Sequence, residues 1–215
     1  WRASRDRIPF DVHNLTVDQY TTSSGAVSSF MAVQLRNMTV DCSSWFGFGF
    51  PDRVGLLTPE DVFPRFKGKA LFSPEPKDTT SAYYIADYLA GLGMQKQCFP
   101  TTFIDAHAQI FRSRGFPFMV RNVEAGGQHA TLAGAGGPAR VAELLGLGFT
   151  HIAIDVADAS AAGAIANCKS GGLNVGVYTS STLLCRQSQK AEIDALYQPA
   201  FYASEDPVYM AGDVA

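Results

Sequence analysis

Four acidic residues in the second half of the chain stand where parallel β/α folds carry out their chemistry. Glu124 follows the apolar run 116–123, Asp155 belongs to the run 149–156 with Asp158 just beyond it, and Glu205 follows 199–203. Ligands in such folds bind beyond the carboxyl ends of the strands, so these carboxylates are expected at one rim. Two carboxylates at one rim suit hydrolysis of a glycosidic bond. One protonates the leaving oxygen and the other attacks the sugar or activates water, and a separation of about 5 Å or about 6.5–9.5 Å sets the stereochemical outcome. Mutual repulsion also drives their pKa values apart, which separates acid from base. Asp155, Glu124 and Glu205 are therefore the candidate catalytic residues. Tyr178, Tyr202 and Trp45 are candidate stacking surfaces for sugar rings, with Asp158 beside them. The structural alternative is that carboxylates after strands cap the following helices, as Asp158 would cap a helix over 160–170.

The elements carrying these residues alternate in type. Strands are expected at 116–123, 149–156, 173–179 and 199–203. Helices are expected at 138–147 (Pro in its first turn, Gly148 at its end), at 160–170 before Gly171-Gly172, and at 183–197. That β-α-β-α-β-α-β order implies a parallel sheet. The glycine- and alanine-rich stretch 125–137 reads as a loop. The first half reads differently. Residues 27–42 have the alternation of a strand, with a phase change near Arg36; residues 51–80 are proline-rich, with a turn of helix begun by Thr58-Pro59-Glu60 and a short strand at 69–72. A helix capped by Thr80 or Ser81 follows, running to about Leu92. The expected fold class is thus α/β: a β-rich region with a proline-rich linker and one helix over 1–98, then a parallel α/β region over 99–215, as two domains or one. Up to eight strand candidates also admit a small irregular (β/α) barrel.

Composition narrows the partners. The chain has 215 residues, 47% hydrophobic and 17% charged, with a net charge of −3. A core of ordinary size is affordable, and no basic block invites nucleic acid. No apolar run approaches the roughly 20 residues of a membrane span. Four cysteines, Cys42, Cys98, Cys168 and Cys185, contain no Cys-x-x-Cys pair. An even number without metal spacing suggests disulfides, and the sequential pairing Cys42–Cys98 and Cys168–Cys185 is favoured. Two acceptor sequons, Asn14-Leu15-Thr16 and Asn37-Met38-Thr39, add glycosylation and a secreted, extracellular location to that expectation. No cofactor is expected.

The stretch Gly172-Leu173-Asn174-Val175-Gly176-Val177-Tyr178-Thr179-Ser180, followed by Phe201-Tyr202-Ala203, resembles lysozymes of the nematode and amoeba type, the family 25 glycoside hydrolases. The resemblance covers about residues 116–205. It implies an irregular (β/α) barrel acting on cell-wall glycan, with a polysaccharide as partner. Asp155 matches the Asp of the family's Asp-x-Glu pair, while Ala157 stands where the Glu belongs; Glu124, Asp158 or Glu205 would have to supply the acid. The alternative is a non-catalytic extracellular structural, adhesive or effector-like glycoprotein on the same scaffold. A second stretch, Phe103 to Gln109, resembles the opening strand of metal-dependent amidohydrolases, but Gln109 replaces the second histidine of that family's His-x-His pair. His107 is accordingly expected to be an ordinary helix residue.

Overall fold

Small apolar clusters, more than long strands, organise the first hundred residues. The computed structural model describes residues 1–40, 54–123, 127–155, 160–179 and 201–204. The chain divides into two compact units, Trp1–Thr101 with Ile110–Pro117, and Thr102–Gln109 with Phe118–Ala215.

In the first unit, β1 (Arg2–Ala3) pairs antiparallel with β2 (Pro9–Phe10). Phe10, Val12, Val17, Val27, Leu35 and Leu56 form a closed cluster. Fully burying an aliphatic or aromatic side chain of this kind contributes about 1.5–3 kcal/mol. The strand expected over 27–42 is instead a 3-10 turn at Val27–Ser29 and a short helix, α1 (Ala32–Arg36). Gln34 explains the start of that helix: its side-chain oxygen accepts from the Met31 amide at 2.9 Å. Helical spacing then buries Leu35 and leaves Val33 65% exposed, which a shared strand face would not do. After it, β3 (Thr39–Val40) pairs antiparallel with β4 (Val54–Gly55). The β-rich first half is therefore reduced, among the described residues, to two-residue ladders.

Two helices complete this unit. The Thr58-Pro59-Glu60 signal does begin a helix, α2 (Pro59–Phe66), where Asp61 accepts from the Thr58 amide at 2.9 Å and from its hydroxyl at 2.7 Å. The next helix, α3 (Thr79–Gly91), is capped two residues before Thr80, the earlier of the two expected caps, because Asp78 accepts from the Ser81 amide at 2.8 Å. Its inner face carries Ala82, Ile85, Ala86 and Leu89, all fully buried.

The second half is mixed α/β around a parallel sheet, as its rhythm predicts. β5 (Thr101–Thr102), β6 (Val120–Val123), β7 (His151–Asp155), β8 (Asn174–Thr179) and β9 (Phe201–Ser204) lie side by side in that order. The β6–β7, β7–β8 and β8–β9 pairings are parallel. Helix α4 (His107–Arg112) follows β5, and α5 (Gly127–Ala133) and α6 (Gly137–Leu147) follow β6. Helix α7 (Ala161–Gly171) joins β7 to β8. Helix α5 occupies part of the stretch read as a loop: its alanines favour a helix once the fold supplies a surface to pack on. The breaks after α6 and α7 fall at Gly148 and Gly172, each with φ of 98°, a left-handed conformation that glycine adopts without strain. The helices approach closely because small residues face one another. Asn167 of α7 donates to the Leu132 carbonyl at 2.7 Å, and a Cβ at Gly137 would collide with both partners.

Candidate functional site

The parallel register decides which residues share the carboxyl end of the sheet. Asp155 pairs with Tyr178, and Tyr178 with Ala203, so these three form one row that closes β7 and lies one residue short of the ends of β8 and β9. Asp155 is buried, 3% exposed. Tyr202 pairs with Val177, one row earlier, so the two tyrosines proposed to bind a ligand occupy successive rows and not the same one. Glu124, Asp158, Glu205 and Trp45 lie outside the described residues. Of the proposed rim, the structure thus describes Asp155 and the strand positions of Tyr178 and Tyr202.

A charged cluster that sequence reasoning missed lies in the same unit. Asp105, between β5 and α4, accepts from Arg121 Nε at 2.6 Å through one oxygen and from Arg140 Nη2 at 2.5 Å through the other. Arg140 also pairs with Glu143, one helical turn along α6, at 2.7 Å. Burial pushes the Asp105 carboxyl up, but hydrogen bonds from Arg140 and Arg121 and their charges outweigh it and hold the group below the usual carboxylate range. Arg121 alternates with Asn122 along β6, so it shares a phase with Val123. Arg121, Val123, Gln128, Thr131, Leu132, Arg140 and Leu144 line a cavity of about 250 Å³ beside this cluster. One carboxylate gripped by two guanidiniums locks β6 and α6 to the segment after β5.

A second constellation belongs to the first unit. Phe72 N donates to Gln97 O at 3.0 Å, Phe99 N to Phe72 O at 2.7 Å and Thr101 N to Pro74 O at 3.0 Å. These bonds and the parallel bridge between Phe72 and Cys98 make 72–74 a short parallel strand, although Pro74 disguises it in the sequence. Glu75 and Lys77 stand just beyond its carboxyl end. The chain bends at Lys77, and Lys77 Nζ lies 2.6 Å from Glu75 Oε1. Both side chains are largely shielded, 13% and 23% exposed for the lysine and the glutamate. The backbone beneath them is fixed as well. Trp1 N donates to Glu75 O and Lys77 N to Trp1 O, each at 2.8 Å. Asp78 accepts from Ala3 N at 3.0 Å while it caps α3. The signal available in the sequence was the Glu-x-Lys spacing after an apolar run.

The chain has the fold of glycerophosphodiester phosphodiesterases. It superposes on one from Agrobacterium tumefaciens with a TM-score of 0.72, at 18% identity, over 98% of this chain and 84% of that one. A phosphodiesterase from Oleispira antarctica, solved in complex with its product sn-glycerol-3-phosphate, gives 0.72 at 13% identity over 99% and 82%. A glycerophosphoryl diester phosphodiesterase from Parabacteroides distasonis gives 0.67 at 14% identity over 99% and 73%. No family model and no curated protein matches the sequence.

These neighbours overturn the lysozyme resemblance and with it the glycan-hydrolase reading, and they give a polysaccharide partner no support. The motifs that carried the resemblance are β8 and β9, neighbouring parallel strands in which Gly176 pairs with Phe201. Strand pairing of this kind is common to parallel sheets and carries no activity with it. The disulfide framework also fails. Cys98 and Cys168 are free and buried, and burial pushes both thiols up to about 12. Their partners in the expected pairing, Cys42 and Cys185, lie outside the described residues. An even cysteine count fits buried thiols as well as it fits bridges. His107 is indeed an interior helix residue, with Nδ1 2.9 Å from Thr102 Oγ1. Among the described residues no three His, Cys, Asp or Glu side chains converge as a metal site, and no helix is long and apolar enough to cross a membrane.

Proposed function

We propose that the chain is a phosphodiesterase acting on glycerophosphodiesters, on a sheet that continues into an irregular (β/α) barrel. The observation that carries this reading is the Glu75–Lys77 pair at the carboxyl end of a parallel strand, in a chain that matches such enzymes over 98% of its length. Phosphodiester hydrolysis needs two things from side chains. Negative charge on the non-bridging oxygens must be met by a fixed cation, and the attacking or leaving oxygen must exchange a proton. Lys77 supplies the cation. Glu75 supplies a carboxylate within reach of the same oxygens, suited to general acid–base work. Their partial burial strengthens both effects relative to water.

The test is the release of sn-glycerol-3-phosphate from glycerophosphocholine by the purified chain. Lys77→Met and Glu75→Gln are each expected to cost on the order of 10²–10³ in kcat/KM, the range of single electrostatic and general acid–base contributions. Lys77→Arg is expected to recover part of the loss, since it restores the charge in another shape. Release at the wild-type rate by Lys77→Met would remove the pair from the mechanism. An inactive wild type would remove the substrate class.

A further inference from the structure

Between α2 and the strand at 72–74 the chain displays apolar and basic residues together. Arg65, Lys67 and Lys69 are all exposed, Phe66 is 47% exposed and Leu71 is 70% exposed. No acidic residue occurs from Val62 to Pro74, although the chain as a whole carries −3. Among the described residues, none of the three cations makes an ion pair. Phe66 turns an edge toward Phe72, with ring centres 6.4 Å apart, yet much of it stays open to water, and exposed apolar groups of this size beside unpaired cations cost solubility.

This loop is also held in shape. Gln97 receives the Gly68 amide at 2.9 Å, and its own amide donates to the carbonyls of Phe66, at 3.1 Å, and Ala70. Lys69 N returns to Phe66 O at 2.9 Å, and Gly68 turns the corner with φ of 74°. Phe72 anchors the base, edge-on to Phe63 with ring centres 5.1 Å apart. The Phe63–Phe72 ring contact and one side-chain amide therefore fix a turn on which Phe66 and Leu71 remain exposed.

We propose that residues Arg65 to Leu71 dock the protein on an anionic lipid surface, with Phe66 and Leu71 entering the headgroup region and the three cations meeting lipid phosphates and carboxylates. The pairing of exposed apolar anchors with a local positive charge is the chemistry of interfacial membrane binding, and neither part alone gives stable attachment. A pre-shaped turn adds affinity because little conformational freedom is lost on docking. The inference stands apart from the phosphodiesterase reading, since none of these residues belongs to the Glu75–Lys77 pair.

The experiment is co-sedimentation of the full chain with vesicles of phosphatidylcholine alone, or of phosphatidylcholine with about one third phosphatidylserine, a composition giving a strongly negative surface. Three cations near such a surface predict a preference on the order of a hundredfold for the anionic vesicles, at about a tenfold gain for every 1.4 kcal/mol. The preference should vanish in about 1 M salt, where the Debye length is near 3 Å. Lys67→Glu with Lys69→Glu is expected to abolish sedimentation. Phe66→Ser with Leu71→Ser is expected to weaken it at least tenfold with the charge intact. Both variants alter exposed positions, and the salt dependence of the wild type provides a readout that needs no variant. A wild type that stays in the supernatant, equal binding to both vesicles, or wild-type sedimentation by either double variant would overturn the proposal.

Discussion

Asp105→Asn is the sharpest perturbation of the second unit. The carboxylate spends one oxygen on Arg121 and the other on Arg140, at 2.6 and 2.5 Å. Asparagine keeps one acceptor but turns an NH₂ toward a guanidinium, so one arginine loses its partner and faces a donor instead. The cost depends on burial. Breaking a fully buried pair costs about 3–5 kcal/mol, whereas an exposed pair is worth about 0–1 kcal/mol. The Arg121 side chain is 8% exposed while Asp105 is 34% and Arg140 23% exposed, which sets the loss between those limits. We expect about 2–3 kcal/mol, or roughly 4–12 °C in Tm for a chain of this size. The pH dependence has a definite sign. The folded-state pKa of Asp105 is depressed, so its contribution is complete above the unfolded value of about 3.9 and is lost as pH falls through the folded value. The gap between wild type and Asp105→Asn in urea melts should therefore be constant from about pH 8 to pH 5 and close below about pH 4. A variant melting within about 1 °C of wild type at neutral pH, or a gap unchanged under acid, would refute the account. Adding Arg121→Met should restore part of the loss, since the double variant removes the buried charge as well as its partner.

Three further outcomes follow from local geometry. Asp78→Ala removes the cap of α3 and the acceptor for Ala3 N together, and should lower stability by about 1–2 kcal/mol in chemical denaturation. Gly137→Ala drives a methyl into the Leu132 carbonyl and the Asn167 amide, and should cost about 1–3 kcal/mol by the same measurement; a neutral effect would mean the three helices pack less closely than described. Cys98 and Cys168 should resist alkylation in the native state and react as free thiols once unfolded without reductant, read by peptide mass mapping; recovery of either in a disulfide would contradict the buried-thiol account.

Much of the second unit was legible from its residues. Gly148 and Gly172 end α6 and α7 at the expected places because glycine alone takes a φ of 98° without penalty. The parallel sheet followed from apolar runs alternating with helices, and Asp155 closes β7 with Tyr178 beside it. The first unit was less legible for physical reasons. Met31, Val33 and Leu35 alternate like a strand, and only the Gln34 cap and the cluster around Leu35 turn them into a helix. The Asp105 cluster joins residues 16 and 35 positions apart, a proximity that no local pattern encodes. Glu75 and Lys77 stand in a proline-rich stretch whose backbone bonds run to Trp1 and Thr101, so its strand character comes from distant partners. The cysteines misled because parity is a property of the count and burial is a property of the fold.

The placement of Glu75 and Lys77 bears on how such a pair can act. Glu75 and Lys77 stand two residues apart, so a fixed main chain goes far toward keeping the pair together. Here the main chain is fixed from several directions: Pro74 accepts from Thr101, Glu75 and Lys77 bond to Trp1, and Asp78 holds both Ala3 and the start of α3. Charges held this way need little reorganisation when a substrate charge arrives, which is where electrostatic catalysis gains over water. Lysine beside glutamate, taken alone, is an ordinary ion pair worth little to stability at partial exposure. Anchoring both partners through the backbone therefore makes better sense as preparation for an anionic ligand than as a contribution to folding.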